Sequence, residues 1–215
     1  MLIDDTKDIY LGNNQITKVY SGNTVVYEKQ NTPYTPLNYI GSTNTQQIDT
    51  NYYPKKDKTK VIMDIEFTKL SPDHNGGCIF GCVWSVNGFV LTDIWQNSQQ
   101  TLRWHNGSWA NTTNYRTKVG DRIMVEAYQG TVKIDGVVEI QITSGTGSMS
   151  SPLKLFSMSS SHPSYINLYS CKIYEEDNLK FDFIPVLDEN GLPCLYDKVS
   201  ETYFYNTGSG TFIYG

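Results

Sequence analysis

The chain has 215 residues, and its 39 % hydrophobic and 18 % charged residues exclude a disordered chain. Its net charge of −5 and its scattered basic residues exclude a nucleic-acid-binding surface, which must be basic to neutralise phosphates. No run approaches the roughly 18 apolar residues that span a membrane, so we expect no membrane insertion. Residues 1–5 are acidic and do not resemble a signal peptide, so we expect synthesis in a cytoplasm without an encoded export route.

Residues 1–30 predict a small β-meander. Three short β-rich runs, over residues 9–11, 15–20 and 24–27, are separated by Gly-Asn turns. A sheet of this size buries little, so its apolar side chains need a covering surface from the chain's own sandwich, a second copy or another protein. The side chains that we predict to serve in attachment or oligomerisation are Ile9, Leu11, Ile16, Val19 and Val25.

Residues 31–36 contain two prolines, Pro33 and Pro36, among polar residues. Proline favours extended backbone and cannot donate a hydrogen bond to a β-ladder, so this segment predicts a stiff linker. The sequence therefore divides into the meander over residues 1–30, the linker and one large domain over residues 37–215.

The large domain carries strand patterns and no helical apolar stripe. Residues 61–67 place apolar side chains at every second position, which predicts a half-buried strand, and residues 78–83 form a nearly continuous apolar run, which predicts a central strand. Asn-Gly at 106–107 and Asp-Gly at 135–136 favour tight turns because both dipeptides tolerate positive φ angles. Many short strands without crossover helices predict an antiparallel β-sandwich.

The four cysteines predict free thiols. Cys78 and Cys82 lie on one predicted strand, where their Cα atoms would be about 13 Å apart, too far for a disulfide. No second cysteine pair or histidine pair follows at the spacing of a zinc site. Free buried thiols are consistent with a reducing compartment.

Six segments of the large domain share their motifs and their order with one known family. They are residues 36–50 (PLNYIGSTNTQQIDT), 132–136 (VKIDG), 168–174 (LYSCKIY), 181–186 (FDFIPV), 191–197 (GLPCLYD) and 204–212 (FYNTGSGTF). They resemble the concanavalin A-like lectin/glucanase domains of gut bacterial and phage proteins. The resemblance implies an all-β, antiparallel jelly-roll sandwich of the laminin-G-like kind. Family members sometimes hold a calcium ion at a loop, but no dense run of Asp and Asn indicates such a loop here, so we expect no cofactor and no metal.

The meander separately resembles a short module found at the start of phage and prophage virion proteins. That resemblance implies docking on another virion protein. Phage fibres of this style imply a homotrimer whose N-termini gather at the attachment point. The alternative is a monomer in which the meander folds back on its own sandwich.

A catalytic pair of carboxylates is missing. Polysaccharide-cleaving sandwich relatives carry Glu-x-Asp-x-x-Glu on one strand, which places alternate carboxylates on either side of the scissile bond. Here Asp64 and Glu66 have the right separation, but no third carboxylate completes the pattern. No Ser or Cys stands in a nucleophile elbow. We therefore expect a binding protein rather than an enzyme.

Aromatic residues are the better candidates for a binding site. All four tryptophans fall within residues 84–109, interleaved with asparagines. Flat rings stack on the apolar face of a sugar, and amides bind its hydroxyls. The predicted ligand-binding residues are Trp84, Trp95, Trp109, Tyr115, Asn87, Asn106 and Asn111. The alternative is that the rings are packing residues. Trp104 lies in strand register with Leu102 and is expected in the core, whereas Trp109 is expected to be exposed.

Three functions compete. The first is a non-enzymatic phage virion appendage, such as a head fibre, tail-tip or decoration protein, whose sandwich binds host-surface glycan or protein and which lysis releases with the particle. The second is a carbohydrate-binding or adhesion module on a bacterial cell surface. The third, a glycoside hydrolase, is disfavoured by the missing carboxylates. We favour the first hypothesis.

Overall fold

The computed structural model describes residues 9–11, 14–16, 18–28, 34–43, 45–71, 76–83, 85, 87–96, 98–158 and 162–215. The chain divides into two compact units, Met1–Pro33 and Tyr34–Gly215. Within the described residues, all helical or strand structure is β-strand, and no helix is long and apolar enough to cross a membrane.

The smaller unit contains four described strands: β1 (Ile9–Leu11), β2 (Asn14–Ile16), β3 (Lys18–Ser21) and β4 (Thr24–Glu28). They form two separate antiparallel ladders, β1 with β2 and β3 with β4. The predicted second strand over residues 15–20 is therefore two strands, each paired with a different neighbour, instead of the middle of one meander. Val19 is half-buried. The side chains of Ile9, Leu11, Ile16 and Val25 lie outside what the structure describes.

The larger unit contains the remaining strands. They are β5 (Thr35–Pro36), β6 (Ile40–Gly41), β7 (Ile48–Asp49), β8 (Thr59–Phe67), β9 (Gly77–Gly81), β10 (Phe89–Gln96), β11 (Gln99–Asn106), β12 (Trp109–Asn111), β13 (Arg122–Tyr128), β14 (Thr131–Ile134), β15 (Val137–Gln141), β16 (Lys154–Leu155), β17 (Ile166–Glu175), β18 (Asn178–Leu187), β19 (Pro193–Asp197), β20 (Thr202–Phe204) and β21 (Ile213–Tyr214).

These strands form two antiparallel sheets. The six-stranded sheet has the order β12-β11-β10-β9-β16-β7. The eleven-stranded sheet has the order β15-β14-β13-β8-β17-β18-β19-β20, with β5 paired to β18, β6 to β17 and β21 to β6. The chain is thus an antiparallel jelly-roll sandwich preceded by a small β unit, which confirms the predicted fold class.

The core lies between the two sheets and follows the alternation in the sequence. On β8 the side chains of Val61, Met63, Ile65 and Phe67 are fully buried, while the residues between them are partly exposed. The strands of the six-stranded sheet contribute the buried rings of Phe80, Phe89 and Trp104 to the same core. The run predicted to be a central strand is β9, which is buried throughout and pairs on both sides.

The predicted linker is shorter than expected. Thr35–Pro36 form β5 and pair with Val186 and Leu187 of β18, so residues 34–36 belong to the sandwich. β5 pairs with only one described strand, and proline is tolerated at such an edge because its missing N–H breaks no ladder on the open side.

The two ends of the larger unit lie side by side. β6 pairs with β21, placing Ile40 opposite Tyr214 and Gly41 opposite Ile213. Beyond this ladder, the backbone N–H groups of Asn38 and Tyr39 both donate to the carbonyl of Gly215, over 2.6 and 3.2 Å. The sandwich is therefore closed by hydrogen bonds between its first and last segments.

All four cysteines are free thiols. Cys78, Cys171 and Cys194 are buried, and Cys82 is half-buried. Burial raises the pKa of the Cys82 thiol to about 11 and that of Cys194 to about 12. Because the thiolate is the reactive form, burial disfavours the reactive form of Cys82 and Cys194.

Candidate functional site

Strand register decides which side chains of β10, β11 and β12 share a face. Leu91 of β10 lies opposite Trp104 of β11, and both belong to the core. Because neighbouring residues on a strand point to opposite faces, Arg103 points to the outer face of the six-stranded sheet. On that face Arg103 lies opposite Asn111 of β12, and Trp109 lies opposite His105.

Four side chains of this outer face form one connected surface. The Arg103 guanidinium carbon is 4.4 Å from the ring centroid of Trp109, and its Nε donates to the Asn111 Oδ1 over 2.8 Å. The Asn111 Nδ2 donates in turn to the Gln96 Oε1 over 2.7 Å. We call these four residues, Gln96, Arg103, Trp109 and Asn111, the Trp109 platform. Trp109 is 45 % exposed, so the platform offers a flat ring beside planar polar groups.

A buried carboxylate fixes the chain that leaves β12. The Glu139 side chain of β15 is buried, and its Oε2 accepts hydrogen bonds from the backbone N–H groups of Asn114 and Tyr115, over 2.8 and 3.0 Å. The Glu139 carbonyl accepts from the N–H of Thr113. These bonds tie the edge of one sheet to the edge of the other. β12 therefore presents Trp109 from an anchored strand.

The predicted ligand-binding residues do not form one cluster. Trp109 and Asn111 lie together on the platform, whereas Trp95, 40 % exposed, lies opposite Gln100 on the other face of the sheet. Asn87 is exposed in the turn before β10. Trp84 lies outside the described residues.

Asn106 and Tyr115 have structural contacts instead. The prediction is wrong for Asn106, which is 0 % exposed: its Nδ2 donates to the carbonyls of Lys56 and Gln129, where three loops converge. Tyr115 is half-buried against the core, and its hydroxyl donates to Asp121 over 3.2 Å. Gln96 and Arg103 do not stand out in the sequence, because only the pairing of three strands brings them to Asn111.

The eleven-stranded sheet carries a polar cleft of about 510 Å³ on its outer face. Arg122 donates to both carboxylate oxygens of Asp64, over 2.9 and 2.8 Å, and its guanidinium carbon is 3.5 Å from the ring centroid of Tyr169. The Tyr169 hydroxyl donates to Glu66 over 2.6 Å, and Asn167 donates to the same oxygen. Both carboxylates that were considered as a catalytic pair are thus acceptors in side-chain networks.

The hydrogen bond to Asp64 raises the pKa of Arg122, and the bond to Glu66 raises the pKa of Tyr169. Each donor therefore keeps its proton beside its carboxylate. Across the described ranges, no group of three or more His, Cys, Asp or Glu side chains lies close enough together to hold a metal ion.

Comparison with known proteins finds similar solved structures. No family model matches the chain. No curated protein matches it either. One similar solved structure is domain 4 of AbnA, a GH43 extracellular arabinanase from Geobacillus stearothermophilus, in complex with arabinotriose: the identity is 13 %, the match covers 57 % of this chain and 65 % of that one, and the TM-score is 0.41. The present chain thus spans slightly less than two thirds of that domain.

Proposed function

We propose that the sandwich is a non-catalytic carbohydrate-binding module and that it binds sugar at the Trp109 platform. One observation carries this proposal: Trp109 is an exposed ring whose partner Arg103 is itself held by Asn111. An exposed tryptophan exposes apolar surface to water, and a sugar face that covers the ring removes that surface. Asn111 lies two residues from Trp109 on the same strand face, and its amide and that of Gln96, to which it donates, offer donors and acceptors for hydroxyl groups.

Hydrogen bonds hold the platform side chains in place, which supports a binding role for Trp109 over a ring that is merely exposed. The bonds from Asn111 to Arg103 and Gln96 restrict three flexible side chains before a ligand arrives. Ordering such side chains on binding costs roughly 0.5–1.5 kcal/mol each, so a platform that is already ordered avoids part of that cost. The contacts of Glu139 with the segment after β12 restrict the backbone in the same way.

The contacts of Asp64 and Glu66 support a non-catalytic role for these two carboxylates. Asp64 is held by two bonds from Arg122, and Glu66 accepts from Tyr169 and Asn167. Glycoside hydrolysis requires one carboxylic acid to donate a proton and a second carboxylate to attack or to activate water. We therefore propose binding without hydrolysis.

Replacing Trp109 with alanine should weaken glycan binding roughly 10-fold or more, because a stacked aromatic contact contributes about 1.5 kcal/mol. The measurement is binding of the full chain to a printed array of bacterial-surface, plant cell-wall and mucin glycans, followed by titration of the strongest ligand. Trp95→Ala is the matched control, since Trp95 is exposed to a similar degree on the opposite face. Equal losses in the two variants, or an array that wild type does not bind, would contradict the proposal.

We further propose that the whole chain is a phage virion appendage, with the unit Met1–Pro33 docking on another virion protein and the sandwich projecting towards the host. Support comes from the resemblance of residues 1–30 to virion modules. The competing role is an adhesion module on a bacterial surface. Antibody to this chain should label purified phage particles in electron micrographs, and light scattering of the full chain should give a homotrimer. Labelling of the bacterial surface, with unlabelled particles, would favour the competitor.

A further inference from the structure

The chain has three arginines, which differ in whether a carboxylate pairs with them. Arg122 forms a bidentate ion pair with Asp64. Arg103 bonds through Nε to the neutral amide of Asn111 and stacks on Trp109, and no described carboxylate pairs with it. Arg116 donates to the Gln99 Oε1 over 2.6 Å and to two backbone carbonyls, again without a described carboxylate.

Of the two arginines without a carboxylate, Arg103 belongs to the platform and Arg116 contacts Gln99, which lies opposite Gln96. Gln96 and Gln99 lie directly opposite each other at the end of the β10–β11 hairpin. Gln99 contacts Arg116, while Gln96 contacts Asn111, which contacts Arg103. A row of uncharged amides thus separates two guanidinium groups, in a chain whose net charge is −5.

Arg103 keeps a charge in a place that is partly removed from water. The side chain is half-buried, and this burial lowers the pKa of its guanidinium. Charges held away from water are normally paired. The bond from Nε leaves the edge formed by Nη1 and Nη2 without a described acceptor, and that edge matches the two oxygens of an anionic group.

Resting on the proposed function, we propose that the platform selects acidic glycans: an anionic group on the sugar meets the Nη edge of Arg103 while a sugar face covers Trp109. A carboxylate, as in uronic and sialic acids, and a sulfate ester share this chemistry. The amides of Gln96 and Asn111 bind the neighbouring hydroxyls. Arg116 adds positive potential at the other end of the row.

The test is an array of matched pairs in which only the acidic group differs: oligogalacturonides and their methyl esters, sialylated and asialo glycans, and sulfated and unsulfated glycans. Wild type should bind the acidic member of at least one pair roughly 10-fold or more tightly, because charge-assisted hydrogen bonds contribute about 1.5–3 kcal/mol. The pairs whose acidic member wild type prefers show whether the platform recognises a carboxylate or a sulfate. Arg103→Gln should abolish the discrimination, and Arg103→Lys should restore part of it.

Arg122→Gln is the control, because it removes the same charge from the opposite sheet and should keep the discrimination. Circular dichroism should show that all variants fold. Equal binding of acidic and neutral members, or discrimination that survives in Arg103→Gln, overturns acidic selection; the proposed function then stands if binding still depends on Trp109. An array without any ligand for wild type overturns both proposals.

Discussion

Replacing Trp104 with alanine should lower the free energy of unfolding of the sandwich by about 3–5 kcal/mol, the range for truncating a fully buried large aromatic side chain. Trp104 is 0 % exposed, and its ring centroid lies 4.9 Å from that of Phe89 and 5.9 Å from that of Phe80. Its Nε1 donates to the carbonyl of Gln129 over 3.0 Å. The variant therefore loses ring contacts and one buried hydrogen bond.

Urea unfolding followed by circular dichroism measures this loss. Trp104→Phe keeps an aromatic ring and removes the indole N–H, so its free energy of unfolding should lie between those of wild type and the alanine variant. Trp95→Ala should cost about 1 kcal/mol, because much of that side chain is already in water. Similar losses for Trp95→Ala and Trp104→Ala would contradict the placement of Trp104 in the core.

Asp93 and His105 should give opposite pH dependences that partly cancel in wild type. Asp93 is 3 % exposed, and burial raises its pKa to about 6, although the N–H of Ser71 and the amide of Gln100 donate to its carboxylate. An acid whose pKa is raised on folding holds its proton more tightly in the folded state. Its contribution to stability is therefore full below about pH 4, the unfolded pKa, and is lost as the pH rises through 6.

His105 acts in the other direction. Burial, with a smaller contribution from the charge of Arg103, lowers its pKa to about 4. A base whose pKa is lowered on folding stabilises the protein above its unfolded pKa of about 6.5, and that contribution is lost as the pH falls towards 4. Each shift of roughly two units corresponds to about 3 kcal/mol.

Asp93→Asn should therefore lose stability relative to wild type on acidification from pH 6 to pH 4, by about 2 kcal/mol of the full ~3 kcal/mol. His105→Gln should gain stability relative to wild type over the same interval. Urea unfolding at several pH values, with each variant compared to wild type, cancels the contributions of the other carboxylates. Parallel curves for wild type and both variants would show that neither group titrates differently in the folded and unfolded chain.

Local patterns were sufficient for the fold because side-chain alternation and turn chemistry act between near neighbours. The apolar positions predicted in residues 61–67 are the buried face of β8. Asp135-Gly136 connects β14 to β15, and both residues have positive φ angles, as the dipeptide predicted. The extra strand at residues 35–36 escaped prediction because its only described partner, β18, lies about 150 residues later in the chain.

The candidate site could be predicted only in part, because it depends on register between strands. Trp109 and Asn111 are two residues apart on one strand, so their common face follows from the sequence. Arg103 and Gln96 join them only through antiparallel pairing across β11 and β10. Asn106 shows the opposite error: an asparagine before glycine is typical of an exposed turn, yet here the surrounding carbonyls enclose it.

The ladder between β6 and β21 also has a consequence for how this sandwich can be carried by other polypeptides. Asn38, four residues after the unit begins at Tyr34, donates its backbone N–H to the carbonyl of Gly215, the last residue of the unit. A loop of a host protein could accept the sandwich between two adjacent residues without being spread apart. The same proximity makes the unit suitable for circular permutation, with a short bridge across the old ends and new termini at a distant turn.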